Sequence, residues 1–66
     1  MRIFVNGLER EVPAPQTIDT LLRLTGHAGR RVAVEINREI VPRSGHASRA
    51  LVEDDRVELI QAIGGG

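Results

Sequence analysis

The first twelve residues alternate between apolar and polar side chains, which is the pattern of β-strands. Ile3 and Val5 lie on one face of a predicted strand over residues 2–6. The dipeptide Asn6-Gly7 predicts a two-residue hairpin turn, because both central positions of a type I′ turn need a positive φ. Residues 8–12 are therefore predicted to return as a second strand, antiparallel to the first.

The next segment changes to a helical period. Three apolar residues at positions i, i+3 and i+4 predict the buried stripe of one amphipathic helix over residues 18–25. They are Ile18, Leu21 and Leu22. Thr17 precedes them as a suitable N-cap, and Gly26 follows as a suitable C-terminal stop.

The second half of the chain alternates again and predicts three more strands. A strand at residues 32–36 and a short one at 39–41 are joined by a turn at Asn37-Arg38. Residues 43–52 are polar and predict a turn of 3₁₀ helix, with Leu51 pointing inward. Further predictions are a turn at residues 53–55 and a last strand at 56–63, with Val57 and Leu59 facing the core and Glu58, Ile60 and Ala62 facing away.

This order of elements predicts an α+β fold, a mixed sheet of about five short strands with one main helix across one face. A hairpin before a lone helix fits the ubiquitin-like β-grasp arrangement, in which the last strand lies beside the first and parallel to it. We predict a β-grasp domain over residues 1–63 and a flexible C-terminal glycine tail over residues 64–66.

Composition restricts the function further. The 66 residues carry nine Arg, no Lys and nine acidic residues, so the formal net charge is zero. No charge excess favours binding to nucleic acid or to an anionic membrane, and no segment is long enough to span one. Cysteine is absent, which excludes thiolate catalysis and Cys-based zinc sites. Without a signal peptide pattern, the predicted location is cytoplasmic.

Sequence motifs of enzymes are missing. The chain has no phosphate-binding loop, no nucleophile elbow and no pair of residues at metal-ligand spacing. His27 and His46 are placed in polar loops, each without a nearby second ligand, so neither predicts a metal or catalytic site. Such a small domain also has little room for a substrate pocket. These observations favour a carrier or binding module over an enzyme.

The terminal triplet Gly64-Gly65-Gly66 is the most informative feature of the sequence. It follows an apolar strand and would hold the α-carboxylate of Gly66 at the tip of an arm without side chains. Glycine enters backbone conformations and narrow channels that are closed to other residues. The arm suits a carboxylate that is threaded into another protein's active site, although a frayed terminus would have the same composition.

A second candidate site is the face of the sheet opposite the helix. If the first and last strands are adjacent, Phe4, Ile60 and Ala62 are expected to be neighbours on this face. An apolar cluster there, rimmed by charged residues, is typical of a docking surface for a transient partner. The same partner could hold this face and receive the Gly66 carboxylate.

Several segments resemble the ThiS family of sulfur carrier proteins of thiamin biosynthesis. The most specific is the run from Val32 to Arg43, which contains Asn37 followed by Ile40-Val41-Pro42. The first strand, the helix, the last strand and the terminal Gly-Gly pair also match, so the resemblance spans essentially the whole chain. The related sulfur carriers of molybdopterin synthase match less well, because the sequence lacks their proline-rich approach to the tail.

The resemblance implies a carrier that is acted on by partner enzymes. An E1-like (ThiF-like) adenylyltransferase, using ATP and Mg²⁺ that it binds itself, would adenylate the Gly66 carboxylate. A sulfur donor such as a cysteine desulfurase relay would convert it to a thiocarboxylate, and a ThiG-like thiazole synthase would accept the sulfur. This chain itself is expected to bind no cofactor, and Gly64 and Gly65 are expected to give access to the partner's channel.

One departure from the family lies in the last turn, where Asp54-Asp55 replaces a frequent Gly-Asp pair. Because Asp tolerates left-handed backbone better than most residues, the turn is expected to form.

The sequence leaves three alternative functions open. They are a carrier for molybdopterin or another sulfur-transfer pathway, a ubiquitin-like protein modifier, and a plain β-grasp binding module.

Overall fold

The computed structural model describes residues 1–61. These residues form five strands, one α-helix and one short 3₁₀ helix. In chain order the elements are β1 (Arg2–Val5), β2 (Leu8–Glu11), α1 (Ile18–Leu24), β3 (Val32–Ile36), β4 (Glu39–Val41), the 3₁₀ helix (Arg43–Gly45) and β5 (Arg56–Gln61). The predicted boundary at residues 63 and 64, between domain and tail, lies outside the described residues.

The strands form one mixed sheet in the order β2-β1-β5-β3-β4. β5 lies in its centre, parallel to β1 and antiparallel to β3, and the two hairpins flank it. Phe4 is opposite Arg56, which sets the parallel register. The β-grasp arrangement predicted from the sequence is confirmed.

The helix α1 covers one face of this sheet. The core contains the inward-facing residues of β1, β3 and β5 together with the apolar stripe of the helix and Leu51 from the loop before β5. Its buried members are Ile3, Val5, Val12, Ile18, Leu21, Leu22, Val34, Ile36, Leu51, Val57 and Leu59. Burial of apolar surface contributes about 25 cal/mol per Å², so this one cluster is the main source of stability in a domain without disulfides.

Both ends of α1 are capped as the sequence predicted. The side chain of Thr17 accepts from the backbone N–H of Thr20, and Thr20 Oγ1 in turn accepts from the backbone N–H of Thr17, which completes a capping box. At the other end Gly26 has a φ of 81°, and the backbone N–H of His27 donates to the carbonyl of Leu22. This pairing is the Schellman motif that commonly ends helices.

The predicted turns also form. Asn6 and Gly7 have φ values of 50° and 81°, and Asn37 and Arg38 have 51° and 71°, as type I′ hairpins require. Asp54 adopts a φ of 68°, so the aspartate takes the left-handed conformation for which glycine is the usual residue. Tight turns thus close both hairpins and lead the chain into β5.

The boundaries differ slightly from those predicted. The strands β1 and β2 and the helix each end one residue earlier than the sequence pattern indicated. The predicted last strand over residues 56–63 is observed from Arg56 to Gln61, and its remainder lies outside the described residues. No helix in residues 1–61 is long and apolar enough to cross a bilayer.

Candidate functional site

The face of the sheet opposite α1 is uncovered in the described part of the chain, and we call it the outer face. On four of its strands it combines apolar and charged side chains in equal numbers. Its members on β1, β3, β4 and β5 are Arg2, Phe4, Ala33, Glu35, Ile40, Arg56, Glu58 and Ile60. Ile40 and Ile60 are 75% and 53% exposed. The predicted exposed face exists, and Phe4 and Ile60 both lie on it.

The two apolar residues are not neighbours, however, and this part of the prediction was wrong. The parallel register places Phe4 beside Arg56, whereas Ile60 is four residues further along β5 and opposite Ala33. At about 3.3 Å per residue, this separates them by roughly 13 Å along the strand. The strands are adjacent as expected, but β1 ends before β5 reaches Ile60. Ala62, the third predicted member, lies outside the described residues.

Phe4 instead interacts with two arginines. The guanidinium carbons of Arg56 and Arg2 lie 4.8 and 5.7 Å from the centre of its ring. Arg2 also forms an ion pair of 2.7 Å with Asp54, and the hydrogen bond to this carboxylate raises the pKa of Arg2 above its ordinary value. On its other side β1 is paired with β2, which places Glu9 opposite Phe4 and Glu11 opposite Arg2, so Phe4 lies among charged residues of both signs.

Two carboxylates occupy the middle of the outer face. Glu35 on β3 is directly opposite Glu58 on β5, in the same register that pairs Ile60 with Ala33. Like charges in directly opposed positions of a sheet are unfavourable. No arginine among residues 1–61 forms an ion pair with either of them. Because these charges separate the two apolar regions, the outer face contains two small patches instead of one.

The central strand β5 carries the chain towards the predicted tail. Its last residue, Gln61, is opposite Val32 at the start of β3. The strand is held on the other side by β1, where the backbone N–H of Asn6 donates to the carbonyl of Val57 and Asn6 Oδ1 accepts from the N–H of Leu59 at 2.8 Å. The predicted functional residues Gly64, Gly65 and Gly66 lie outside the described residues.

A buried carboxylate fixes the beginning of β5. Asp55 is only 3% exposed, although the sequence pattern placed it in a surface turn. Its two oxygens accept from the backbone N–H of Val52 at 2.9 Å and from the Nδ2 of Asn37 at 3.0 Å. Its backbone carbonyl accepts from the N–H of Phe4. Asp55 thus joins β1, β5 and the β3–β4 turn. The sequence around Asp55 does not indicate these distant partners.

Both histidines form hydrogen bonds within the fold. His46, predicted in a polar loop, is 7% exposed, and its Nε2–H donates to the carbonyl of Val41 at 3.1 Å. Its own carbonyl accepts from the N–H of Asp19 at the start of α1, so it ties the 3₁₀ helix to the main helix. His27 Nδ1 lies 2.8 Å from the hydroxyl of Thr25. Among residues 1–61, no group of three potential metal ligands comes together.

The fold and the position of the last strand define the class of protein. It is a ubiquitin-like β-grasp domain, whose central strand leads directly into the C-terminal segment. Residues 3–66 match the ThiS family, and the chain belongs to this family. This membership confirms the family that the sequence resemblance predicted.

Individual relatives support the assignment. The sulfur carrier protein ThiS of Escherichia coli is 33% identical, and the alignment covers both chains completely. The crystal structure of the thiamine biosynthesis protein ThiS from Geobacter metallireducens superimposes with a TM-score of 0.85, at 29% identity and with complete coverage of both chains.

Two further relatives are much longer than this chain. A thiazole synthase of Paramagnetospirillum magneticum is 44% identical over all 66 residues, and one of Magnetococcus marinus is 39% identical. The chain spans about a fifth of the length of each (20%). In both organisms, therefore, a domain similar to this chain is part of a longer protein that is named thiazole synthase.

Proposed function

We propose that the chain carries sulfur as a thiocarboxylate on Gly66. An oxygen of the Gly66 carboxylate attacks the α-phosphorus of ATP in an adenylating partner, and pyrophosphate leaves. The terminal sulfur of a donor persulfide then attacks the acyl carbon, and AMP leaves. A thiol cleaves the resulting S–S bond, which oxidises the thiol to a disulfide and releases the thiocarboxylate.

The chemistry explains why activation is needed. A carboxylate has a poor leaving group, and adenylation supplies a good one. The thiocarboxylate sulfur is in turn a stronger nucleophile than oxygen, so it can be donated to an acceptor. ATP and Mg²⁺ belong to the adenylating partner in this proposal, and the chain acts as a protein co-substrate in the cytoplasm, where ATP is available.

The observation that carries the proposal is the position of β5 in a member of the ThiS family. The strand is paired with β1 near its start and with β3 as far as Gln61, so the five residues from 62 to 66 follow a residue that is paired within the sheet. Fully extended, five residues reach at most about 18 Å. That length delivers the terminal carboxylate into a partner's active site while the folded domain stays outside it.

Thiazole synthase is the sulfur acceptor that we propose. Support comes from the two thiazole synthases in which a similar domain occupies a fifth of the chain. Physical linkage of donor and acceptor in one chain is useful when the two act together, because it raises their effective concentration. The same observation favours thiazole formation over molybdopterin synthesis as the pathway served.

Reconstitution tests this function. The purified chain, an adenylating enzyme, a cysteine desulfurase with cysteine, a thiol, ATP with Mg²⁺ and thiazole synthase are combined with the synthase's other substrates, and thiazole phosphate is quantified. We expect product formation to require the chain and to stop when Gly65 and Gly66 are deleted. Product formed equally well with the truncated chain would contradict the proposal.

The outer face is proposed to dock the adenylating partner. An Ile60→Arg exchange places a charge on an apolar contact that is 53% exposed in the free domain, so the fold has little reason to change. We expect the KM of the adenylating enzyme for the chain to rise about tenfold, which corresponds to loss of one good interface contact. ATP–pyrophosphate exchange at varied chain concentration measures this KM.

Val52→Arg is the matched control, because Val52 is similarly exposed at 59% but lies in the loop before β5 and not on the outer face. Its KM is expected to stay within twofold of the unmodified chain. Equal KM values for the Ile60 and Val52 variants would show that the docking surface lies elsewhere.

A further inference from the structure

An open groove of about 770 Å³ lies between α1, the loop after it, the start of β3, the 3₁₀ helix and the end of β5, where Ile60 lines it. Four arginines line it, and they come from three different segments of the chain. They are Arg23, Arg30, Arg31 and Arg43. We call this surface the arginine groove. Asp19 is the single carboxylate that lines it within the described part of the chain.

The groove concentrates positive charge in a protein whose net charge is zero. Asp19 pairs with Arg23 at 3.3 Å, and no carboxylate among residues 1–61 lies within ion-pair distance of the other three arginines. Residues 20–34 contain three arginines and no acidic residue. The acids that balance them are on other parts of the domain. A charge separation of this kind produces a local potential that overall net charge does not reveal.

The groove lies at the point where β5 ends. Gln61 is opposite Val32, and Arg31 is the residue before Val32. Arg30 precedes it in the loop that lines the groove. Any protein that accepts the C-terminal segment therefore comes close to these two guanidinium groups, since the segment can separate the domain from the reacting carboxylate by no more than about 18 Å.

We propose that the arginine groove binds an acidic surface of thiazole synthase, at the rim of the opening that receives the C-terminal segment. This inference rests on the proposed function, which supplies the acceptor. The four arginine side chains are exposed, and the groove is open to solvent. Exposed charges of this kind are suited to the rim of a protein interface, where they accelerate and orient association.

The double variant Arg30→Glu plus Arg31→Glu tests the inference. Neither side chain is buried or ion-paired within residues 1–61, so the domain is expected to fold normally. We expect the Kd for the cognate thiazole synthase to rise at least about tenfold at low salt. Because salt screens exposed charges, the difference should shrink when NaCl is raised from about 50 mM to about 500 mM. Biolayer interferometry measures both values.

The matched control is Arg10→Glu plus Arg38→Glu, since both residues are exposed and lie away from the groove. Each exchange changes the charge by −2, so both double variants have a formal net charge of 0 − 2 − 2 = −4. The control is expected to keep its Kd within about threefold, the size of a general charge effect. Equal weakening of both variants would overturn the specific role of the groove.

Adenylation of the same variants separates this inference from the proposed function. If the unmodified chain is never adenylated, the proposed function fails. If it is adenylated and the groove variant binds thiazole synthase normally, only the groove inference fails. A groove variant that is defective in adenylation alone would assign the groove to the other enzyme and also overturn the inference. Displacement of thiazole synthase by inorganic phosphate at constant ionic strength would identify a phosphate site instead.

Discussion

A Gly65→Val variant is expected to fold normally and to lose at least about 100-fold in its rate of adenylation, since small misplacements of a reacting group cost this much. A valine has two methyl groups on its Cβ, and these would meet the walls of a channel that admits only a backbone. They also restrict the φ and ψ values of the segment. The exchange is made at the penultimate residue, so Gly66, which carries the reacting carboxylate, is unchanged.

ATP–pyrophosphate exchange with the adenylating enzyme measures the loss, and urea unfolding checks the fold. Gln61→Val is the matched control, because it introduces the same side chain at the exposed end of β5, five residues before Gly66. The control should be adenylated within about threefold of the normal rate and retain its stability, as surface exchanges usually do. Normal adenylation of the Gly65 variant would remove the argument that glycine is needed for passage through a channel.

The second large effect is expected for stability. An Asp55→Ala exchange should lower the free energy of unfolding by about 2–4 kcal/mol, because it removes two part-buried hydrogen bonds to a charged acceptor and the 3.7 Å ion pair with Arg49. The donors are the backbone N–H of Val52 and the side chain of Asn37. Domains of this size have only about 3–10 kcal/mol in total, so the exchange would remove a substantial part of the stability.

Urea denaturation measures the free energy of unfolding, and the m-value is expected to be the same for the unmodified chain and its variants. Asp54→Gly is the control, since Asp54 is the neighbouring carboxylate but is exposed and has a φ of 68°. Loss of the surface ion pair with Arg2 lowers the free energy of unfolding, whereas glycine removes the cost of a left-handed backbone. The two effects should largely offset each other and change the free energy of unfolding by no more than about 1 kcal/mol. Equal stability of the Asp55 and Asp54 variants would mean that the buried network contributes little.

Local patterns were sufficient to predict most of this fold. The alternation around Ile3 and Val5, the helical spacing of Leu21 and Leu22, and the Asn6-Gly7 turn each depend on neighbouring residues only. Their outcomes follow from side-chain burial and backbone sterics within a few positions. The capping residue Thr17 is predictable for the same reason. The parallel pairing of the first and last strands followed from these elements and from the right-handed connection rule.

Residues whose role depends on distant partners were not predictable in this way. Asp55 and His46 look like loop residues in the sequence, yet each is buried and hydrogen-bonded to a segment far along the chain. The separation of Phe4 from Ile60 depends on the exact register of β1 and β5, which alternation alone does not determine. One signal for the arginine groove was present, because residues 20–34 have basic but no acidic side chains.

The intact mass of the chain, recovered from cells that also produce its adenylating enzyme and sulfur donor, shows whether Gly66 carries sulfur. We expect a mass raised by the difference between sulfur and oxygen, which fragmentation assigns to Gly66. An increase by one adenylate would show activation without sulfur transfer. An unmodified chain in the presence of partners that are demonstrably active would contradict the proposal that Gly66 carries sulfur.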